Sequence, residues 1–290
     1  MKYNIESYNP IRNIYQKFYH GLCKRGIKYL TASSRVLPDF FVIGVVRSGT
    51  TSLFHYLGQH PCIESSEYDE IGYFDDNYHL GINWYKSLFP TKSIKEKIVK
   101  ENGKFLTYDV TPFYIYNPLV IRRILKDFPD AKLIVNLRNP IDRAYSNYIV
   151  ALQDGDTNLS FEDFIQPEIE LIKNPKIDLH DESFLVDTYY EKILARGLYA
   201  EQLKMWYKHF PKKQILVVSS EELARETNDS LRKIFKFLEL PDIKIRDISR
   251  KNKREYPEMK NETREVLIEF FKPYNKELSN LLEREFNWDR

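Results

Sequence analysis

Apolar residues after position 38 occur in short continuous runs, and these runs alternate with longer stretches of helical spacing. The clearest runs are rich in β-branched residues and cover residues 40–46, 132–137 and 214–218, with a weaker one at 105–110. Such runs are typical of central parallel strands that are buried on both faces. Helical spacing predicts helices over about 50–59, 117–127, 140–152, 197–209, 230–239 and 262–285. The alternation predicts an α/β fold, in which a central parallel sheet lies between two layers of helices.

Residues 1–38 differ from the rest of the chain and form a predicted basic extension ahead of a single domain at 39–290. They contain seven Lys or Arg against one Glu. Apolar residues recur at helical spacing between about 8 and 30, with basic residues between them. Two interpretations are open: an interfacial helix in peripheral contact with an anionic membrane, or a helix packed on the domain.

Composition narrows the classes of function. The 290 residues hold 44 Lys and Arg against 42 Asp and Glu, too balanced for a general nucleic-acid binder. Two cysteines, Cys23 and Cys62, have neither disulfide-framework nor zinc spacing, and the six histidines form no metal-ligand motif. No apolar run has the length of a membrane span or a secretory signal. We therefore expect no metal and a cytoplasmic protein, membrane-associated if the N-terminal helix is interfacial.

A phosphate-binding loop is predicted directly after the first strand. Gly44 and Gly49 are separated by four residues, and the hydroxyl residues Thr50, Thr51 and Ser52 open the next helix. Glycines allow a tight turn, so that backbone N–H groups and the helix N-terminus can point at one anion. A nucleotide triphosphatase has Lys directly after the second glycine, where Thr50 stands here. The pattern therefore favours a P-loop-like sheet that binds a single 5′-phosphate, with Arg47 as the cation of the loop.

A second anion site is predicted where the strand at 132–137 ends. Arg138 follows that strand, Pro140 suits the first turn of a helix, and Ser146 lies one to two turns along it. An arginine and a hydroxyl placed in this way can hold one phosphate from two sides. On the residues alone, a structural ion pair for Arg138 is an equal alternative.

Together these motifs resemble the sulfotransferases that use 3′-phosphoadenosine-5′-phosphosulfate (PAPS), especially the heparan-sulfate-type branch and its bacterial relatives. The resemblance extends from about residue 40 to the C-terminus. Its most specific part is the 5′-phosphosulfate loop Arg47-Ser48-Gly49-Thr50-Thr51-Ser52-Leu53.

The resemblance implies a set of donor-binding residues. It assigns the 5′-phosphosulfate to Arg47, Ser48, Gly49, Thr50, Thr51 and Ser52, and the 3′-phosphate to Arg138 and Ser146. A basic loop before Tyr256-Pro257 would add Arg254 and Lys253, although it lacks the glycine of the family pattern. The implied donor is PAPS and the implied product is 3′,5′-ADP. We expected the two anion sites to be separate, at opposite ends of an adenosine.

The catalytic assignment also follows from the resemblance. Glu70 occupies the place of the family's proposed base, and Arg47 would neutralise charge on the leaving phosphate. The family's catalytic Lys is Val110 here. Asp109 could contact the acceptor or cap a turn, and Arg196 and Tyr199 are candidates for the acceptor cleft.

The predicted function is transfer of a sulfuryl group to a hydroxyl or amine of an acceptor, a carbohydrate or glycoconjugate by the branch resembled. The alternatives are an ATP-dependent phosphotransferase with a P-loop and a non-catalytic nucleotide-binding module. The first is disfavoured by Thr50, and the second would keep the phosphate sites without a base.

Overall fold

The computed structural model describes residues 27–179, 192–251 and 257–288. Its centre is a five-stranded sheet in the order β2-β3-β1-β4-β5. The strands are β1 (Phe40–Gly44), β2 (Ile63–Ser65), β3 (Leu106–Val110), β4 (Lys132–Leu137) and β5 (Ile215–Ser219). All four pairings are parallel. The predicted parallel sheet is therefore confirmed.

The helices, with short 3-10 turns between some of them, connect the strands. They are α1 (Ile27–Leu30), α2 (Thr50–Leu57), α3 (Ile82–Lys86), α4 (Lys92–Asn102), α5 (Pro118–Asp127), α6 (Pro140–Asp154), α7 (Phe161–Lys173), α8 (Tyr199–Tyr207), α9 (Ser220–Arg225), α10 (Thr227–Phe237) and α11 (Asn261–Leu282). Each of the six helices predicted between residues 50 and 285 is present, with ends that differ by a few residues. Two of the helices not predicted have simple explanations: α4 buries none of its residues, and α9 is short.

Alternate residues of β1 enter two different apolar clusters, one on each face of the sheet. Phe41 and Ile43 pack on one face with residues of α3, α5, α8 and α11. Phe40 and Val42 pack on the other face with residues of α2 and α10. The two clusters form the three predicted layers. A third cluster joins α6, α7 and α11 beside the sheet.

The start of the site is set by where β1 ends. The strand stops at Gly44 rather than at Val46 as predicted, since Val45 already belongs to a turn. The N–H of Val45 donates to Asn136 O at 3.0 Å, and Val45 O accepts the N–H of Ser48 at 3.3 Å. The chain therefore leaves the sheet two residues early and enters the phosphate loop, residues 45–49.

The predicted N-terminal helix lies almost wholly outside the described residues. The described part begins with α1, where Tyr29 is 40% and Leu30 79% exposed. In the stretches that the structure describes, no helix combines the length and the apolar character needed to cross a membrane.

Candidate active site

A cleft of about 570 Å³ lies at the carboxyl ends of the strands, where ligands bind in open α/β sheets. It brings together the predicted residues from both anion sites and the predicted base. Those that line it are Arg47, Ser48, Gly49, Thr50, Thr51, Ser52, Glu70, Arg138 and Ser146. The phosphate loop is central, because β1 lies in the middle of the sheet. Two sides are distinguished below: the β3 side, with Glu70, Phe113 and Arg196, and the β5 side, with Ser220, Leu223 and Ala224.

The phosphate loop ends at Gly49, which has φ +87° and is the N-cap of α2. That conformation is in the left-handed region and favours glycine. The first N–H groups of α2 have no acceptor within the helix. They belong to residues next to Gly49 that line the cleft. Together with the positive end of the helix dipole, they can bind an anion.

The phosphate loop is held from behind by two residues that the sequence patterns did not single out. Asn136 on β4 donates from Nδ2 to Ser48 O at 2.7 Å, and Ser220 at the start of α9 donates from Oγ to the same oxygen at 2.8 Å. Asn136 is completely buried. A polar residue inside the apolar run of β4 was the available signal for it, whereas nothing local marked Ser220.

Two of the predicted hydroxyl contacts are used inside the protein. Ser48 Oγ donates to Val45 O at 2.7 Å and is buried, so this hydroxyl shapes the loop. Ser52 Oγ accepts the backbone N–H of Lys251 at 2.9 Å. Gly49, Thr50 and Thr51 of the predicted set also line the cleft.

The two anion sites lie side by side, not at opposite ends of a ligand as expected. Arg138 Nη1 donates to Arg47 O at 2.8 Å, and Arg47 Nε donates to Ser146 Oγ at 3.1 Å. Arg47 has φ +69°, a conformation uncommon for a residue with a side chain. The residues of both predicted sites thus share one hydrogen-bonded chain, so two phosphates bound by them would lie close together.

The basic loop approaches the same cleft. Lys253 and Arg254 lie outside the described residues, but Arg250 and Lys251 just before them line the cleft. This segment is tied to α2 by Ser52 and by Tyr56, whose OH donates to Ile248 O at 3.0 Å.

Glu70 is exposed, lines the β3 side and has φ +56°. Its backbone N–H donates to Val110 O at 2.7 Å, which ties the segment 69–77, called here the Glu70 loop, to the end of β3. Val110 itself is buried in the apolar cluster between the sheet and helices α2 and α10. Left-handed conformations outside glycine concentrate at functional sites, and both catalytic candidates, Arg47 and Glu70, have one.

Asp109 does not reach the cleft. It is completely buried, and its carboxylate accepts hydrogen bonds from three hydroxyls, those of Tyr85, Thr111 and Tyr114. Burial raises the pKa of Asp109 to about 6, while those three hydrogen bonds act in the opposite direction. A direct contact between Asp109 and an acceptor is therefore excluded in this arrangement.

The two residues predicted to line the acceptor cleft, Arg196 and Tyr199, lie in different surroundings. Arg196 lines the cleft, is 5% exposed and lies over the rings of Phe113 and Tyr116 with Cζ at 5.5 and 5.8 Å from their centroids. Its Nη1 donates to Asn147 Oδ1 at 3.3 Å. Tyr199 is buried instead, and its OH donates to Arg138 O at 2.7 Å. Tyr199 therefore supports the anion site from behind.

Two further acidic residues of the cleft, Asp142 and Glu221, are held by contacts within the protein. Asp142 accepts from Arg264 Nη2 at 2.7 Å, and Glu221 accepts from the N–H of Asn139 at 2.8 Å. Across the described ranges, no three His, Cys, Asp or Glu side chains are grouped closely enough to hold a metal ion.

Comparison with known proteins places these features in a family. Residues 37–280 match the family described as "Sulfotransferase domain". A solved structure, a sulfotransferase from Alicyclobacillus acidocaldarius, superposes with a TM-score of 0.64 and 27% identity, over 88% of this chain and 100% of that one.

Curated relatives agree with this match. The chain is 30% identical to "Membrane-associated sulfotransferase kil1" of Dictyostelium discoideum, over 87% of this chain and 66% of that protein. It is 30% identical to human "Bifunctional heparan sulfate N-deacetylase/N-sulfotransferase 2", over 86% of this chain and 30% of that protein. It is 29% identical to mouse "Heparan sulfate glucosamine 3-O-sulfotransferase 3B1", over 89% of this chain and 66% of that protein. The matched region thus spans less than two thirds of each of these relatives.

Proposed function

The chain belongs to the sulfotransferase domain family, and on that premise we propose that it transfers a sulfuryl group from PAPS to a hydroxyl or amine, releasing 3′,5′-ADP. The observation that supports this most is the hydrogen-bonded chain from Arg138 through Arg47 to Ser146, placed in one cleft with Glu70. A donor with phosphates at both the 3′ and 5′ positions of one ribose needs two adjacent anion sites of this kind.

The residues present fit such a donor. Arg47 and the first turn of α2 suit the 5′-phosphosulfate, and Arg138 with Ser146 suits the 3′-phosphate. Leu223 and Ala224 give the β5 side an apolar surface on which a nucleobase can lie. Ser48 and Ser52 support the loop through the contacts given above. We retain Lys253 and Arg254 as proposed contacts of the 3′-phosphate, because the segment just before them already lines the cleft.

In the proposed reaction, Glu70 accepts the proton of the attacking hydroxyl or amine. The new bond forms between that oxygen or nitrogen and sulfur, while the bond between sulfur and the 5′-phosphate oxygen breaks. The electron pair of the broken bond stays on the phosphate, where Arg47 and the N-terminus of α2 neutralise it. We propose no metal in this step.

For the acceptor we propose a carbohydrate or glycoconjugate. Support comes from the printed names of two relatives, which refer to heparan sulfate and glucosamine. Arg196 and Phe113 offer a cation and a ring next to Glu70, a combination suited to a sugar with an acidic substituent.

A ligand-binding series tests the donor assignment. Melting temperature is measured with 3′,5′-ADP, AMP and ATP–Mg²⁺, and transfer is measured with labelled PAPS and a panel of sugar acceptors. We expect the largest stabilisation from 3′,5′-ADP, because only it occupies both anion sites. Stabilisation by ATP–Mg²⁺ above that by 3′,5′-ADP would favour the phosphotransferase alternative, and binding without transfer would favour a non-catalytic module.

We also propose that the protein works in the cytoplasm and contacts a membrane peripherally through residues 8–30. The basic helical pattern of that segment, the exposure of Tyr29 and Leu30 at its end, and the membrane association named in one relative support this. Co-sedimentation with anionic vesicles, compared between the full chain and a chain starting at residue 31, tests it. Equal sedimentation of the two chains would contradict a role for this segment.

A further inference from the structure

Asp109 is a fully buried carboxylate at the end of β3 that the proposed reaction does not use. Three hydroxyls donate to it: Thr111 Oγ1 to Oδ1 at 2.7 Å, and Tyr85 OH and Tyr114 OH to Oδ2 at 2.8 and 3.0 Å. An ionised carboxylate has no proton of its own and only accepts hydrogen bonds. All three hydroxyl hydrogens must therefore point towards Asp109.

Two of these hydroxyls also contact the Glu70 loop. Thr111 Oγ1 accepts the backbone N–H of Gly72 at 3.3 Å, and Tyr114 OH accepts the backbone N–H of Phe74 at 3.3 Å. Each hydroxyl has a single hydrogen, so it can present lone pairs to the loop only while its hydrogen is directed at Asp109. The carboxylate thus sets the direction of three hydroxyl hydrogen bonds, and two of those hydroxyls in turn accept a loop N–H.

We propose that Asp109 is a positioning residue for the β3 side of the cleft: its carboxylate orients Thr111 and Tyr114 so that they hold the loop that presents Glu70. The bond from Glu70 N–H to Val110 O, at 2.7 Å, is the third attachment of the same loop to the β3 segment. The role in catalysis rests on the transfer reaction proposed above, whereas the role in holding the loop does not.

The isosteric variant Asp109→Asn replaces a carboxylate oxygen, which accepts hydrogen bonds, with an amide nitrogen, which donates them. The hydroxyl of Thr111 or Tyr114 that faces this nitrogen must therefore accept from it and turn its own hydrogen away. That hydrogen is then no longer held at residue 109 and competes with the loop N–H, which weakens at least one attachment of the loop. Tyr85→Phe is the matched control, because it removes a donor to the same carboxylate and keeps the ring stacked on Tyr73 at 4.2 Å, but breaks no bond to the loop.

The experiment measures amide hydrogen exchange at Gly72 and Phe74, kcat, the acceptor KM and the Kd of 3′,5′-ADP. In Asp109→Asn we expect exchange at one or both amides to accelerate about tenfold or more, and kcat to fall about tenfold or more. The Kd should change less than about twofold, because the phosphate loop is held by other residues. Tyr85→Phe should resemble the wild type in each of these measurements at a pH well above 6, where Asp109 is ionised.

Protonation supplies a second readout. Burial raises the pKa of Asp109 to about 6, and the charges and hydroxyls that face it are Asp75, Tyr85, Thr111 and Tyr114. In the wild type, protection of Gly72 and Phe74, corrected for intrinsic exchange, should therefore decrease as the pH falls through about 6. Asp109→Asn should show no such step.

Two results would overturn the proposal: wild-type exchange at both amides in Asp109→Asn, or equal losses in Tyr85→Phe and Asp109→Asn. Should Asp109→Asn fail to fold, Thr111→Val and Tyr114→Phe decide instead. The first must affect Gly72 and the second Phe74, and a change that is not local in this way contradicts the proposal. If 3′,5′-ADP does not bind the wild type, the proposed function fails, while the exchange results still test the role of Asp109.

Discussion

The β5 and β3 sides of the cleft are built in different ways. On the β5 side, Ser220 and the neighbouring strand residue Asn136 hold the phosphate loop through one carbonyl, that of Ser48. These are neutral hydrogen bonds close to the sheet. On the β3 side, Glu70 is exposed on a loop that donates two backbone hydrogen bonds to hydroxyls, and both hydroxyls donate to the buried carboxylate of Asp109. The difference shows that the phosphate loop is held in shape by neutral side chains, whereas the Glu70 loop is held by hydroxyls that contact a carboxylate able to titrate.

The sharpest test of the difference between the two sides is to remove only the proposed base, Glu70. Glu70→Gln should lower kcat by about 10² to 10⁴, because proton transfer by a positioned side chain contributes about that much. The Kd of 3′,5′-ADP, measured by calorimetry, should stay close to the wild-type value. Asp69→Asn, a change of the adjacent carboxylate, is the control and should turn over normally. Normal turnover in Glu70→Gln would remove Glu70 from the role of base.

Ionisation of Asp109 should also change the free energy of unfolding. Its pKa in the folded protein, about 6, lies above the ordinary value of 3.8 because burial disfavours the charged form. The folded state therefore holds a proton between about pH 4 and 6 that the unfolded state has lost. Stability from this group is complete below about pH 4 and is lost as the pH rises through about 6, by about 3 kcal/mol.

Urea unfolding of the wild type and Asp109→Asn at pH 4 and pH 7 measures this effect. The difference in unfolding free energy between the two proteins should shift by about 3 kcal/mol against the wild type as the pH rises. A difference that does not change with pH would mean that Asp109 titrates alike in the folded and unfolded states.

A substitution of Arg138 tests the proposed anion-binding part of the cleft. Arg138→Met should weaken binding of 3′,5′-ADP by about ten- to a hundredfold, since a hydrogen bond to a charged group is worth about 1.5–3 kcal/mol. Binding of AMP should weaken less, because AMP has no 3′-phosphate. Arg225→Met, which removes a guanidinium that is 71% exposed, is the control. Equal losses for both nucleotides would place Arg138 in a structural role only.

Arg196 tests whether the β3 side selects the acceptor. Arg196→Met should raise the KM for acidic sugar acceptors about tenfold and leave the Kd of 3′,5′-ADP unchanged, since Arg196 lies beside Phe113 rather than on the phosphate loop. Arg284→Met, which removes an arginine lying 4.8 Å from the Phe286 ring, is the matched control. Equal effects on acidic and neutral acceptors would argue against recognition of charge.

The smallest effect is expected at Ser220. Ser220→Ala removes one of the two hydrogen bonds to Ser48 O and leaves that of Asn136, so 3′,5′-ADP should bind about fivefold more weakly. Ser34→Ala, a change at an exposed hydroxyl, should have no effect on binding. A loss as large as that of Arg138→Met would mean that Asn136 alone does not hold the phosphate loop in place.

The sequence alone determined four of the five strands, six of the described helices and the turn between β1 and α2, whereas the short strand β2 was not predicted. These features depend on residues that are close along the chain: an apolar run marks a buried strand, and two glycines four residues apart mark a turn before a helix. The confirmed family membership was also visible in the segment from Arg47 to Leu53. Helices such as α4, with no buried residue, were not recognised because they lack a strong apolar stripe.

Only the tertiary structure decided how the pieces of the site meet. Arg47 and Ser146 are 99 positions apart, and Ser48 and Ser220 are 172 apart, yet each pair shares a hydrogen bond. The order of the strands creates these contacts, and no local pattern states that order. For the same reason, sequence reasoning could not tell that Tyr199 supports Arg138 from behind, or that Asp109 is buried beneath the Glu70 loop. Burial and hydrogen-bond direction are properties of the packed chain, because they depend on which distant groups exclude water from a side chain.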